Sequence, residues 1–335
     1  MIEAEKLIVI LGPTAVGKTK LAIDLAIKID GEIISADSRQ VYRGMDIGTG
    51  KDFADYFPFF SKDANFSSGI ARLHLIDIVE AGENYNVAWF QKDFQKAFND
   101  IISRNKTPIL CGGTGMYIEA ILRNYQNTQI PVNQTLRDNL EQKNDEQLNI
   151  LFQEKYQSIN QNADVSTRKR LIRAIEIGDW KYEIQDSKYE IGNSRFAIES
   201  EKKPHTSYFK PHIFGINIPV ETRRERISKR LYERLENGMI EEVKCLLEKG
   251  ISPDKLIFYG LEYKFITEYL IGNLTHNEMS KRLEIAIHQF AKRQMTFFRS
   301  MERKGLKINW LDGLETIENL GEQILTFIKN DRNDV

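Results

Sequence analysis

The chain has 335 residues, of which 41% are hydrophobic and 28% are charged, and its formal net charge is −1. This composition describes a globular protein with a sizeable core and excludes a disordered chain or a strongly cationic nucleic-acid binder. No apolar run approaches the roughly 20 residues of a membrane-spanning helix. The N-terminal segment MIEAEK is too acidic for a signal peptide. Because the only cysteines are Cys111 and Cys245, without a spacing that suggests a paired site, we expect the reducing environment of the cytoplasm. The absence of a long apolar run leads us to expect no contact with a membrane.

The first 125 residues alternate short apolar segments with amphipathic ones. The segments KLIVIL, EIISA and TPILC are predicted to be buried strands, and GKTKLAIDLAIKI and VAWFQKDFQKAFNDIISRN are predicted to be helices. Alternation of this kind predicts an α/β fold whose parallel sheet carries helices on both faces.

The composition changes after Pro131. Residues 132–203 are rich in Asn, Gln, Glu and Lys, and they include helical patterns such as TLRDNLEQKNDEQLNILFQEKY and STRKRLIRAIEIGDW. HIFGINI then predicts another strand, the chain to about residue 304 is predicted to be helical, and KINWLD predicts a last strand before a closing helix. We therefore predict a core of residues 1–131 and 204–335, with residues 132–203 as an inserted helical lobe.

A phosphate-binding motif joins the first strand to the first helix. GPTAVGKT has the spacing Gly-x4-Gly-Lys-Thr, in which glycines let backbone N–H groups face a phosphate and the helix N-terminus adds its positive end. Lys18 adds a full charge, and the Thr19 hydroxyl can bind Mg²⁺. The motif predicts a P-loop NTPase-like core with a diphosphate or nucleotide site at Gly12, Pro13, Thr14, Ala15, Val16, Gly17, Lys18 and Thr19.

The acidic residue expected beside such a loop is in an unusual place. Nucleotide hydrolases hold their metal with a carboxylate after a neighbouring strand, whereas TPILC ends in Gly112-Gly113-Thr114. An acid occurs instead at Asp37, after the strand EIISA, at the sheet edge where doubly wound folds bind ligands. The residues alone leave three roles open for Asp37: a metal ligand, a general base or a turn cap.

Four segments resemble the tRNA dimethylallyltransferases, also called tRNA isopentenyltransferases. They are GPTAVGKT, SADSRQVYRGMDIGTGK, RLHLIDI and GGTGMYIEAIL, and the similarity continues more loosely through RLIRAIEI, RISKRLYERLENGMIEEV and AKRQMTFFR. The resemblance implies transfer of a dimethylallyl group from dimethylallyl diphosphate to the N6 amine of the adenosine 3′ of the tRNA anticodon. Diphosphate would be released.

The resemblance also implies roles for individual residues. Lys18, the loop amides and Mg²⁺ on Thr19 would neutralise the leaving diphosphate, and Asp37 would orient the adenine amine and accept its proton. Thr114 matches a family threonine near the reacting centre, although an N-cap of the following helix is an equal alternative.

The resemblance places tRNA contacts in three regions. Residues that follow Asp37 would face the target base, an arginine lies at the root of the insertion, and a late helix presents a basic face. Helical spacing predicts Leu283, Ile287, Phe290 and Phe297 on one side of that helix, opposite His288, Lys292 and Arg299. The predicted tRNA-binding residues are Asp37, Ser38, Arg39, Gln40, Thr114, Arg137, Arg170, Arg173, Lys292, Arg293, Gln294 and Arg299.

The chain departs from the family pattern away from the donor site. The departures are at Trp89, Ser166, Thr167, Val220, Glu262, Ile287 and His288. A family arginine aligns with Val220, although Arg223 or Arg224 could replace it. Three alternatives stay open: an adenylate isopentenyltransferase that uses free AMP, ADP or ATP, a P-loop kinase of a small metabolite, and a non-catalytic RNA-binding protein. We expect a monomer.

Overall fold

The computed structural model describes residues 5–51, 60–61, 71–161, 163–190 and 209–333. The chain divides into two compact units. The first comprises Met1–Arg123 with Ser207–Val335, and the second comprises Asn124–Thr206. Among the described residues, no helix is both long enough and apolar enough to cross a membrane.

The first unit is built on a parallel sheet, as the alternating sequence pattern predicted. Its order is β3-β4-β2-β5-β1-β6-β7, and every neighbouring pair of strands is parallel. The short strand β4 and the two-residue strand β3 had not been predicted. The strands are β1 (Glu5–Leu11), β2 (Gly31–Ser35), β3 (Phe60–Ser61), β4 (Ala71–His74), β5 (Thr107–Gly112), β6 (Phe209–Asn217) and β7 (Asn309–Asp312).

Helices cover both faces of this sheet, which confirms the predicted α/β class. Side chains of α1 (Lys18–Lys28) and α12 (Ile317–Asn333) pack on one face, and those of α2 (Val87–Ser103) and α3 (Gly115–Leu122) pack on the other. Because β1 is buried on both faces, its side chains Ile8 and Val9 belong to two different hydrophobic clusters. This arrangement accounts for the continuous apolar pattern of the strand.

A third hydrophobic cluster joins the helices between β6 and β7. The sequence predicts helices here in ETRRERISKRLYERLENG, MIEEVKCLLEKG and MSKRLEIAIHQFAKRQMTFFRSMERKG, and the structure has these three and two shorter helices between the second and the third. Gly238 adopts a left-handed conformation before one helix, Pro253 begins the next, and Gly260 separates it from a fourth. The five helices are α7 (Val220–Glu236), α8 (Met239–Glu248), α9 (Pro253–Tyr259), α10 (Leu261–Leu270) and α11 (His276–Arg303).

The second unit is helical in the residues that the structure describes. It contains α4 (Gln134–Glu141), α5 (Asp145–Leu151), a π-helical turn at Phe152–Tyr156 and α6 (Arg168–Glu190). The segment TLRDNLEQKNDEQLNILFQEKY is helical as predicted, but it is divided into two helices and the π-helical turn. The Asn144 side chain accepts the Gln147 N–H while Gln147 caps the Asn144 N–H, and this capping box starts a new helix.

Candidate active site

The phosphate loop lies at the carboxyl end of β1, which pairs with β5 on one side and β6 on the other. A side chain at Gly12 would come within 2.7 Å of the Ile216 carbonyl oxygen, so only glycine fits there. Gly17 has a φ of 91°, a left-handed conformation that glycine adopts without steric cost, and α1 begins at the next residue. These two positions explain why the motif needs both glycines.

Lys18 is held inside this loop. Its Nζ donates a hydrogen bond to the Pro13 carbonyl oxygen at 2.6 Å. The pKa of Lys18 is lowered from its ordinary value of 10.5 to about 8, mainly by desolvation and also by Arg230, while Cys111 and Asp37 act in the opposite direction. Lys18 is thus a poorly solvated ammonium close to other charged groups, a setting that strengthens its attraction to an anionic ligand.

Asp37 forms a turn at the exit of β2. Its Oδ1 accepts the Arg39 N–H at 2.8 Å and the Gln40 N–H at 3.4 Å, so the turn-cap role left open by the sequence is present. Among the described residues, its other carboxylate oxygen has no donor in this turn, and it can serve chemistry at the same time. The cap therefore orients the carboxylate and does not exclude a role as a base.

Thr114 meets this turn from the end of β5. Its Oγ1 accepts the Ser38 N–H at 3.0 Å, and its own N–H donates to the Ala36 carbonyl at 3.1 Å. The residue occupies the N-cap position of α3 without a side-chain cap bond. The hydroxyl thus does not make the cap bond that the sequence left open as an alternative, and it ties the glycine turn to the segment that follows Asp37.

Gln294 connects the phosphate loop with the glycine turn. Its Oε1 accepts the Thr14 N–H at 2.9 Å, and its Nε2 donates to the Gly113 carbonyl at 2.9 Å. The side chain is buried, whereas a direct tRNA contact would require it to be exposed. The structure therefore gives this residue, predicted as a tRNA contact, an internal role across the site.

The other predicted residues after Asp37 have two different settings. Gln40 is buried, with its amide bonded to the Ser35 hydroxyl at 3.0 Å and to the Gly50 carbonyl at 3.2 Å. These hydrogen bonds are again internal, and they replace the direct contact with RNA that the sequence predicted for Gln40. Arg39 is half-buried, and its guanidinium lies 5.8 Å from the centre of the exposed Phe258 ring. Arg39 and Phe258 therefore form a stacked pair at the surface of the site.

Glu242 is a residue that the sequence reasoning missed. Its carboxylate accepts the N–H groups of Asp46, Ile47 and Gly48 at 2.7 to 3.1 Å and the Tyr263 hydroxyl at 2.7 Å. This carboxylate fixes the loop between β2 and β3. The only signal for it was its place in the segment MIEEV, which resembles the family.

The distribution of buried and exposed side chains on α11 agrees only partly with the prediction. Leu283 and Ile287 are buried and Lys292, Arg293 and Arg299 are exposed, but Phe290 is also 40% exposed, so its predicted place on the buried side is wrong. Ala291 and Gln294 occupy the buried stripe instead, because this stripe contacts the loops of the site as well as apolar side chains. The buried residues of the helix are Met279, Ser280, Leu283, Ile287, Ala291, Gln294, Met295, Phe298 and Met301.

The arginines of the second unit are largely engaged within it. Arg137 and Arg173 both pair with the buried Glu176, and Arg173 also donates to the Ile130 carbonyl at 2.7 Å. Although burial raises the pKa of Glu176, these two hydrogen bonds outweigh it and lower that pKa. This internal role of Arg137 and Arg173 was not predicted. Arg170, paired with Asp164 at 2.7 Å, is the most exposed of the predicted arginines in this unit.

The chain matches two family models. The model described as IPP transferase matches residues 40–301, and the model described as isopentenyl transferase matches residues 5–59.

Curated relatives match over nearly the whole chain. The chain is 48% identical to tRNA dimethylallyltransferase 2 of Phocaeicola vulgatus over 97% of its own length and 98% of the relative. It is 49% identical to tRNA dimethylallyltransferase 1 of Parabacteroides distasonis over 92% of both chains. Among solved structures, the full-length tRNA isopentenylpyrophosphate transferase of Bacillus halodurans superposes with a TM-score of 0.65 at 30% identity, covering 98% of this chain and 97% of that one.

Proposed function

We propose, from the premise that this chain belongs to the IPP transferase family, that Lys18, Asp37 and Thr114 form its prenyl-transfer site. The chain is a tRNA dimethylallyltransferase, which transfers a dimethylallyl group from dimethylallyl diphosphate to the N6 amine of the adenosine 3′ of the anticodon. One observation carries the site assignment: the Thr114 hydroxyl accepts the N–H of Ser38, which belongs to the turn that Asp37 forms at the exit of β2. A phosphate cradle and a carboxylate thus lie at one edge of the sheet.

The donor half of the reaction needs an anion-stabilising pocket. The allylic C–O bond breaks, and its electron pair leaves with the diphosphate, whose growing charge must be neutralised. Lys18 and the loop N–H groups between Gly12 and Thr19 supply this neutralisation. Since burial has already removed much of the water around Lys18, its attraction to the anion is strong in the transition state.

The acceptor half needs a base. As the N6–carbon bond forms, the amine must lose a proton, and the Asp37 carboxylate accepts it in this proposal. The two N–H bonds to Oδ1 hold the carboxylate in one orientation. Thr114 positions Ser38 and through it the backbone of the same turn.

Mg²⁺ fits the residues of this site as a cofactor shared with the donor. Within the described part of the chain, no group of three His, Cys, Asp or Glu side chains could hold a metal alone. Mg²⁺ commonly uses one or two protein ligands together with substrate phosphates and water. The Thr19 hydroxyl, at the start of α1, is the residue that would hold it, and the ion would add positive charge beside the diphosphate.

A transfer assay tests the function directly. Labelled dimethylallyl diphosphate and Mg²⁺ are offered with total tRNA in one reaction and with AMP, ADP or ATP in another. We expect label in tRNA. Label only in the free nucleotide would instead indicate an adenylate isopentenyltransferase, and γ-phosphate release from ATP without transfer would indicate a kinase or hydrolase. The same preparation tests the proposed monomeric state by light scattering, and fractionation of its natural host tests a cytoplasmic location.

Diphosphate affinity is expected to fall as the pH rises above about 8. The pKa of Lys18 in the free protein is lowered to about 8, so the ammonium is present below that pH and lost above it. Since diphosphate needs the charged form, binding should weaken up to about tenfold per pH unit until the pKa of the bound form is reached. Titration calorimetry from pH 7 to 9.5 measures this, with Lys18→Ala as the control that should show a flatter profile.

Replacing Gln294 by methionine is expected to lower kcat while leaving tRNA affinity within about twofold. Methionine cannot hydrogen-bond to the Thr14 N–H or to the Gly113 carbonyl, and each buried polar group left without a partner costs about 1–3 kcal/mol of stability. The two loops should therefore lose their fixed spacing, and Tm should fall. Lys292→Ala is the matched control on the same helix: it should weaken tRNA binding without lowering Tm. Equal losses of tRNA affinity in both variants would contradict an internal role for Gln294.

A further inference from the structure

A carboxylate from α8 binds three consecutive backbone N–H groups of the loop that follows the Asp37 turn. The Glu242 Oε2 accepts the N–H of Asp46 at 2.8 Å and that of Ile47 at 2.7 Å, and its Oε1 accepts that of Gly48 at 3.1 Å. These partners lie 194 to 196 residues from Glu242 in the chain. Hydrogen bonds to an ionised carboxylate are about twice as strong as those between neutral groups, so Glu242 holds this loop firmly against α8.

A buried lysine fixes the same loop from within. We call residues 46–51 the Asp46 loop. The Lys51 side chain is fully buried, and its Nζ donates to the Asp46 carboxylate at 2.9 Å and pairs with the Asp77 carboxylate as well. Asp46 is therefore bonded to Glu242 through its N–H and to Lys51 through its side chain. Because two separate groups hold it, the loop has one defined position next to the Asp37 turn.

Gln40 connects the Asp46 loop to the Asp37 turn. Its Nε2 donates to the Gly50 carbonyl at 3.2 Å, and its Oε1 accepts the Ser35 hydroxyl at the end of β2, at 3.0 Å. The N–H of the same residue donates to the Asp37 Oδ1 at 3.4 Å. Gln40 is buried, so water does not replace these partners when the loop moves. A displacement of the loop is therefore passed on to the Asp37 carboxylate.

We propose that Glu242 is a positioning residue for prenyl transfer, which holds the Asp46 loop and through Gln40 fixes the orientation of Asp37. This inference rests on the proposed function, in which Asp37 accepts the proton of the adenine amine. A reacting group displaced by about 1 Å can cost about 100-fold in rate. Donor binding depends instead on Lys18 and the backbone of the phosphate loop. Loss of Glu242 should therefore lower kcat much more than it raises the KM for the donor.

Steady-state transfer to tRNA tests this expectation. Glu242→Ala should lower kcat about 10- to 100-fold and change the KM for dimethylallyl diphosphate by less than about threefold. Glu242→Gln keeps an oxygen that can accept the Asp46 and Ile47 N–H groups, so it should recover most of kcat. A normal kcat in folded Glu242→Ala protein would overturn the proposal.

Leu246→Ala is the matched control for a general loss of stability. Leu246 is buried on the same helix, and its side chain has no group that could hydrogen-bond to the Asp46 loop. The substitution leaves a cavity, so Tm should fall at least as far as in Glu242→Ala, while kcat should stay within about twofold of the wild-type value. An equal loss of kcat in both variants would mean that kcat follows stability alone, and the proposal would be wrong.

A double-mutant cycle tests the path through Gln40. If Glu242 acts through this side chain, Glu242→Ala combined with Gln40→Met should lose no more kcat than the weaker of the two single variants. Losses that multiply would show two independent effects and would contradict the path. Where Glu242→Ala does not fold, Gln40→Met alone should still lower kcat at an unchanged donor KM, and a normal kcat in that variant would overturn the proposal.

Hydrogen exchange gives a readout that requires no prenyl transfer. The N–H groups of Arg39 and Gln40 are bonded to Asp37, and mass spectrometry of peptides that span the turn should show faster exchange in Glu242→Ala than in the wild-type protein. Because a turn exchanges by local opening, Leu246→Ala should leave these rates unchanged. Unchanged exchange in Glu242→Ala overturns this inference, whereas a wild-type protein that does not prenylate tRNA contradicts the proposed function, so the two failures are distinguishable.

Discussion

Lys18→Ala is expected to lower kcat/KM for prenyl transfer about 100- to 1,000-fold, the typical cost of removing one preorganised charge from a developing anion. Lys18 is partly buried, its ammonium donates to the Pro13 carbonyl at 2.6 Å, and desolvation lowers its pKa to about 8. It therefore enters the reaction with little hydration to lose. The measurement is steady-state transfer of labelled dimethylallyl groups to tRNA, at saturating tRNA and varied donor.

The same substitution should not damage the fold. Because the folded protein lowers the pKa of Lys18, burying the charged form costs folding free energy at neutral pH, and this cost falls as the pH rises through 8. Alanine removes that cost, so Tm should stay level or rise. Lys20→Ala, exposed on the same helix, serves as the control and should keep full activity. A large drop in Tm for Lys18→Ala would mean that its role is structural.

Asp37→Asn is expected to reduce kcat about 100- to 10,000-fold, the range attributed to general base catalysis. Asparagine keeps a side-chain oxygen that can accept the Arg39 and Gln40 N–H groups, so the turn is retained while the proton acceptor is lost. The substitution therefore separates the two roles of this residue. Single-turnover transfer measures the rate of the chemical step, and the binding of unmodified tRNA measures whether tRNA affinity is retained.

Asp37→Ala completes this comparison. It removes both the base and the turn acceptor, so it should match asparagine in kcat. Its free energy of unfolding should be lower than that of the asparagine variant by about 1 kcal/mol for each lost turn bond, which lowers Tm. If the asparagine variant kept near-normal kcat while the alanine variant lost activity, Asp37 would be a turn cap alone. The base would then have to be another group.

The elements of the sheet were predictable because their pattern is local. Strand β1 and the motif that follows it are encoded in consecutive residues, and burial on both faces leaves a continuous apolar run. Strand β4 was missed because ARLH is short and only partly buried. The helices Pro253–Tyr259 and Leu261–Leu270 were missed because, at seven and ten residues, each is shorter than the window over which a helical period can be recognised.

The sequence by itself determined which functional side chains are present. They are Lys18 and Thr19 in a glycine-rich loop, the acid Asp37 and the hydroxyl residue Thr114, each within a few residues of a strand end. The tertiary structure alone decided which polar groups bond to one another. Gln294 lies 280 residues from Thr14 and 181 from Gly113, and Glu242 lies 196 residues from Asp46, so no local spacing encodes these hydrogen bonds. Burial followed the same rule: Arg137 and Gln40 have ordinary surface residue types, and only the packing of distant elements around them shows that both are satisfied internally.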